Sequence, residues 1–188
     1  ITADNIILDG NNYYIDGDDS GVDYGIFASG RKNITIKNVR NITDFGSSVT
    51  GSAIYFLGTN NSFIDNVTIN SSRYGIYLNG SSNNTLSNIT ANSNSMSGIV
   101  LFSSSSNNLS SITANSNIWY GILLFSSSSN NTLLNITANS NLQSGVYILS
   151  SSLNNLTNIT ANSNTQNGIY LSSSSSSTLS NITANSDG

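Results

Sequence analysis

The apolar residues of this chain fall in short groups that recur along nearly its whole length. A small residue followed by an aliphatic one opens each group: Gly25-Ile26, Ala53-Ile54, Gly75-Ile76, Gly98-Ile99, Gly121-Ile122, Gly145-Val146 and Gly168-Ile169. From Ala53 onward the openings lie 22, 23, 23, 24 and 23 residues apart, and the first interval is 28. A heptad seam cannot absorb slips of one residue without rotating out of contact, whereas a coil whose turns bulge outward can. Within each group the period is two: Ile76 and Leu78 share one face of an extended segment and Tyr77 takes the other. Ile89-Thr90-Ala91 repeats the pattern, and Leu86 adds an inward position separated from Ile89 by Ser87-Asn88. Two residues between inward positions demand a bend, and Asn tolerates the left-handed backbone that such a bend uses. Asn38, Asn66, Asn88, Asn135, Asn158 and Asn181 hold this place, with Ser111 the one substitute, and their amides are expected to stack inside the bend.

Three short strand pieces per repeat, with a handful of inward side chains, cannot bury a core alone; stacked coils can. The pattern predicts an all-β fold, a single-stranded parallel β-helix of about eight coils of ~23 residues, some 35–40 Å long at ~4.8 Å per coil. Ile76, Ile99, Ile122, Val146 and Ile169 are expected in one interior file, and Leu78, Leu101, Leu124, Ile148 and Leu171 in the next. The chain reads as one domain, with irregular first coils and an insertion around Gly46–Gly51 over residues 1–52 and regular repeats over 53–188. Repeat text runs up to both ends, so a piece of a longer or polymerising chain is expected.

Composition narrows the function classes. The 188 residues include no Cys, His, Pro or Glu, which excludes disulfides and thiolate or imidazole metal sites. Net charge is −4, and all five basic residues lie at or before Arg73, so the long Ser/Asn/Thr-rich remainder is a poor partner for nucleic acid. No apolar run reaches membrane-spanning length, so no membrane insertion is expected of this segment.

The GIYL, NNT(L/I)SN and NIT phrases, with the opening NIILDGNNYYIDG and RKNITIKNV, resemble the repeats of right-handed parallel β-helix proteins of the NosD-like and CASH (carbohydrate-binding/sugar-hydrolase) type. Such repeats occur in archaeal and bacterial cell-surface proteins. The resemblance covers essentially the whole chain and implies a right-handed solenoid, in keeping with the hand of parallel crossovers in general. That fold hosts lyases, hydrolases, adhesins and surface proteins, so function has to be argued from side chains.

Acidic-polysaccharide enzymes on this fold need clustered carboxylates. Asp16, Asp18, Asp19 and Asp23, in IDGDDSGVDYG, form the one acidic cluster, a candidate Ca²⁺ turn or a solvated loop that does not match the twelve-residue calcium loop. With no His and no Asp pairs on central strands, a non-catalytic chain without a required cofactor is expected. Arg31, Lys32, Lys37 and Arg40 form the basic group, and register predicts a Lys37–Asp65 ion pair across coils. Fourteen Asn-x-Ser/Thr triplets permit N-glycosylation in a secreted protein, with Asn79, Asn83, Asn108, Asn130 and Asn155 the candidates at the turn opposite the Asn bend.

An outward apolar stripe is the most informative feature: Tyr55, Tyr77, Val100, Leu123, Tyr147 and Tyr170, flanked by Phe102, Phe125 and Leu149, with Trp119 and Tyr120 entering from the preceding turn. Exposed apolar patches mark partners, here another protein surface or a polysaccharide, unless a flank of the same chain covers them. A second outward array pairs Thr68, Thr90, Thr113, Thr137, Thr160 and Thr183 with Asn70, Asn92, Asn115, Asn139, Asn162 and Asn185, a Thr-x-Asn face similar to those of ice-binding solenoids. The leading expectation is a non-catalytic extracellular module of a microbial surface layer, filament or adhesin, associating with copies of itself or other surface proteins. The alternatives are a carbohydrate-binding or polysaccharide-processing β-helix and an ice-binding protein.

Overall fold

The computed structural model describes residues 1–18, 23–46 and 51–185. Two parallel sheets run the length of a solenoid. The wider is built from β1 (Ile7–Asp9), β2 (Tyr14–Asp16), β4 (Thr35–Thr43), β6 (Phe63–Asn70), β8 (Thr85–Asn92), β10 (Asn108–Thr113), β12 (Thr132–Thr137), β14 (Asn155–Thr160) and β16 (Thr178–Thr183). The narrower holds β3 (Tyr24–Ser29), β5 (Ser52–Leu57), β7 (Tyr74–Asn79), β9 (Ile99–Phe102), β11 (Ile122–Phe125), β13 (Ser144–Leu149) and β15 (Asn167–Ser172). From β2 onward successive strands alternate between the sheets, so each coil adds one strand to both, and the seven strands of the narrower one correspond to about seven turns.

The interior files follow the period-two pattern. Ile26, Ile54, Ile76, Ile99, Ile122, Val146 and Ile169 pair Cα to Cα down the narrow sheet, and Ala28, Phe56, Leu78, Leu101, Leu124, Ile148 and Leu171 form the next file. The second and third strand pieces expected of each repeat merge into one bent strand of the wide sheet. Its bend sits at the recurring Asn, where φ is +55° at Asn38, +53° at Asn66 and Asn88, +55° at Asn135, +56° at Asn158 and +50° at Asn181; Ser111 matches at +55°. The amides of these residues stack outside the bend, in contrast to the expectation: Asn66 Nδ2 donates to Asn38 Oδ1 at 2.9 Å and Asn158 Nδ2 to Asn135 Oδ1 at 2.9 Å, on a largely solvent-exposed edge. A left-handed residue turns its side chain away from the concave side, so the backbone and not the amide fills the corner.

Other amides do fill the interior corners. Asn84, Asn107, Asn131 and Asn154 are fully buried; the backbone N–H groups of the first three donate to the next Oδ1 at 2.8 Å, and that of Asn154 donates to Ser177 Oγ at 3.2 Å. Their Nδ2 groups reach back to carbonyls one coil earlier in the chain, Asn107 to Ser81 and Asn131 to Ser104, both at 3.1 Å. Asn94, Asn117, Asn141 and Asn164 repeat the device at the other corner, and the hydroxyls of Ser104, Ser128 and Ser151 accept N–H groups of Ser81, Ser104 and Ser128. Where the coil turns, some N–H groups lose their sheet partner, and a buried N–H without an acceptor is costly. The side-chain ladders supply that acceptor once per coil.

Close approach fixes the glycine that opens each repeat. A Cβ on Gly121 would lie 2.6 Å from the Gly145 carbonyl oxygen, 2.8 Å from that of Ala114 and 2.9 Å from the Ala138 Cβ. The small Ala91, Ala114, Ala138 and Ala161 file faces the glycines for the same reason. Residues 47–50 of the expected insertion lie outside the described residues. At its base a side chain on either Gly46 or Gly51 would collide with the other's backbone.

Candidate functional site

The outward face of the narrow sheet carries the predicted stripe, in the predicted register. Phe27, Tyr55, Tyr77, Val100, Leu123, Tyr147 and Tyr170 pair down one file. The stripe is not uniformly exposed as expected: Tyr55 keeps only 8% of its surface and Val100 1%. Tyr55 is covered by its neighbours, with ring centroids 4.8 Å from Tyr24, 5.7 Å from Phe27 and 5.4 Å from Tyr77. Phe102 and Phe125 pair at 4.8 Å, and Leu123, Phe125 and Leu149 are half-buried. Much of the stripe is thus covered within the chain by its own rings.

The exception is the corner over β11 to β15. Tyr120 lies 4.7 Å from Tyr147, which stacks on Tyr170 at 4.9 Å with 21° between ring planes. Ring faces inside such a stack are turned toward one another, so the phenol edges and hydroxyls point outward. Trp119 meets Tyr120 edge-on at 6.1 Å and is 42% exposed, and Tyr170 is 39% exposed. Burial, followed by the charge of Tyr147, raises the Tyr120 phenol above its ordinary pKa, which keeps its hydroxyl protonated as a donor. Ile118 and Leu142, 49% and 58% exposed, extend the apolar corner. The sequence pattern missed these two because they sit in the turn between strands; the signal was the pair of bulky residues where other repeats place Ser95-Met96 and Thr165-Gln166. Backbone bonds run Trp119 N–H to Met96, Gln143 N–H to Trp119 and Gln166 N–H to Gln143, so Gln143 and Gln166 follow Trp119 on successive coils.

Charged side chains gather elsewhere, on the outer face of the first coils of the wide sheet. Asp9, Lys37 and Asp65 are register partners on consecutive coils. Lys37 Nζ bonds Asp9 Oδ2 at 3.2 Å, so the ion pair predicted with Asp65 forms toward the preceding coil instead. Asp65 Oδ1 accepts Ser87 Oγ at 2.6 Å and Asn88 Nδ2 at 2.9 Å, as Asp9 Oδ1 accepts the Asn11 N–H and Asn38 Nδ2. The Asn11 backbone N–H, the Asn38 amide and Lys37 together hold the Asp9 carboxyl below the usual carboxylate range. The other basic residues have separate partners: Arg31 lies 3.8 Å from Asp4, and the Arg40 guanidinium sits 5.1 Å over the Tyr14 ring. Among the described residues, Asp16, Asp18 and Asp23 do not come together as metal ligands, and Asp23 accepts the Gly46 N–H at 3.0 Å. Asp19 lies outside the described residues.

Of the candidate glycosylation positions, Asn83, Asn108, Asn130 and Asn155 are exposed, and Asn79 is half-buried with its Nδ2 on the Tyr55 hydroxyl at 2.9 Å. The Thr rank is in register from Thr68 to Thr183. The adjoining Asn rank is engaged by the backbone: Asn92, Asn115, Asn139 and Asn162 each accept the N–H of the Asn one coil on, at 2.7–2.9 Å. Each of those oxygens thus commits one lone pair to the backbone of the next coil.

Solved structures with this fold include the periplasmic alginate epimerase AlgG, at 16% identity and TM-score 0.70 over 88% of this chain and 47% of that one. The A-module of the mannuronan C-5 epimerase AlgE4 from Azotobacter vinelandii matches at 13% identity and TM-score 0.58, over 89% of this chain and 52% of that one. The catalytic domain of a GH87 α-1,3-glucanase in complex with nigerose matches at 15% identity and TM-score 0.63, over all of this chain and 40% of that one. The chain thus spans about half the length, or less, of these structures. All three are polysaccharide-processing enzymes, which overturns the expectation of a non-catalytic chain. No curated protein matches the chain. The model of the right-handed β-helix region matches residues 4–185, and the chain belongs to that family.

Proposed function

We propose that this chain is the β-helical part of a polysaccharide-processing protein that works outside the cytoplasm, and that it holds a glycan against the corner built by Trp119, Tyr120, Tyr147 and Tyr170. The observation that carries this reading is the aromatic row from Trp119 to Tyr170, exposed at both ends, with Trp119 at its head. Trp119 leaves an indole face unstacked, suited to the C–H face of a pyranose, and the phenol hydroxyls and the amides of Gln143 and Gln166 suit sugar hydroxyls. The likeness of fold to two epimerases and a glucanase supports the substrate class.

Trp119 is the sole tryptophan, so its fluorescence reports on this corner alone. A panel of polysaccharides is to be titrated while release of reducing or unsaturated ends is followed. A saturable change in Trp119 emission with at least one glycan is expected. A panel that leaves the emission unchanged would sink the reading.

A further inference from the structure

We infer that the glycan taken by the Trp119 corner is uncharged. This rests on the glycan-binding reading above and adds the chemical class of the ligand. Every Lys and Arg of the chain lies at or before Arg73, and between Arg73 and Asp187 the sequence carries no charged side chain. The coils that form the corner, β11 to β15 with the turns that lead into them, therefore present hydroxyl, amide, aromatic and aliphatic groups and no charge. A uronate-containing polysaccharide carries a carboxylate on each acidic sugar. Settling it on this surface would strip water from those carboxylates with no cation to replace it, and a desolvated charge without a partner is strongly disfavoured. A neutral sugar asks only for hydrogen-bond donors and acceptors.

The nearest cation on the same turn file is Arg73, two coils before Trp119 with Met96 between them. Its guanidinium lies 5.8 Å over the Tyr74 ring, and at two coils, roughly 10 Å, its charge is largely screened in physiological salt. The charged row of Asp9, Lys37 and Asp65 lies on the first three coils, away from the corner. Gln143 and Gln166 stand where an acidic ligand would need Lys or Arg; their planar amides each offer a donor pair and an acceptor to vicinal hydroxyls.

The test is a fluorescence titration of Trp119 with neutral gluco-, manno- and xylo-oligosaccharides on one side and polygalacturonate and polymannuronate oligosaccharides on the other. At least one neutral series is expected to bind at least about tenfold more tightly than either polyuronate, with a Kd that changes less than about twofold between 0.01 and 1 M salt. Gln143→Leu, read by Trp119 emission, is expected to weaken neutral binding by about tenfold while leaving the far-ultraviolet circular dichroism unchanged. A polyuronate that binds as tightly as the neutral series, or affinity that falls steeply with salt, overturns the neutral assignment and leaves the glycan reading standing. Silence of Trp119 toward both series removes the glycan reading itself.

Discussion

Replacing Asn107 with Ala asks how much a buried amide rung holds. Asn107 is 2% exposed; its Oδ1 accepts the Asn84 N–H at 2.8 Å and its Nδ2 donates to the Ser81 carbonyl at 3.1 Å. Truncation leaves both backbone groups unpaired in the interior, and each such group costs ~1–3 kcal/mol, so Asn107→Ala is expected to lose about 2–6 kcal/mol. Against a total stability of roughly 5–15 kcal/mol for a domain, that is a large fraction. The matched comparison is Asn158→Ala on the outer ladder. Water replaces its lost amide bonds there, and the left-handed backbone at φ +56° adds about 1–2 kcal/mol for a residue with a Cβ. Asn158→Gly removes that second cost, whereas Asn107→Gly gains nothing. Urea unfolding followed by circular dichroism, compared at unchanged m-value, gives both numbers. Finding Asn107→Ala within about 0.5 kcal/mol of the parent, or no worse than Asn158→Ala, would refute the view that corner amides satisfy otherwise orphaned N–H groups.

Two further outcomes are expected. Gly121→Ala places a Cβ against backbone on two sides and should lose at least about 3 kcal/mol, while Gly80→Ala, left-handed at φ +59° with nothing within 4 Å, should lose about 1 kcal/mol; thermal melts compare them. The Tyr77 phenol is pushed up to about 12, first by burial and then by Tyr74 and Tyr55, so its contribution to stability is full below pH 10 and disappears as pH rises from 10 toward 12. Ultraviolet titration of tyrosinate should show a late-ionising phenol that Tyr77→Phe removes and Tyr120→Phe does not, and a Tyr77 that ionises with the exposed tyrosines would contradict its burial.

The interior files were legible because aliphatic residues alternate with polar ones at a repeat that tolerates slips of one residue, and the bend was legible because two residues separate Leu86 from Ile89. Parity could not locate the buried amides. At a corner, neighbouring residues can both point inward, so Asn84 inside and Asn83 outside look alike in the text. A usable signal was recurrence: Asn84, Asn107, Asn131 and Asn154 never vary, while Asn83, Ser106, Asn130 and Leu153 do. Register placed Lys37 between Asp9 and Asp65 but could not choose its partner, since both carboxylates lie one coil away on the same face. The stripe was read as exposed because alternation reports only which side a ring is on. It does not report that Tyr24 and Tyr77 lie against Tyr55.

Uniform register makes the coils interchangeable parts. Excising residues 75–97 would join Tyr74 to Gly98 and seat Ile54 on Ile99. The Ser62 N–H, now on Asn84 Oδ1, would meet Asn107, and the Ser72 N–H, now on Asn94, would meet Asn117. No ladder would be broken. Unequal recombination between near-identical gene segments could therefore shorten or lengthen the molecule in whole-coil steps, leaving a working fold at every copy number.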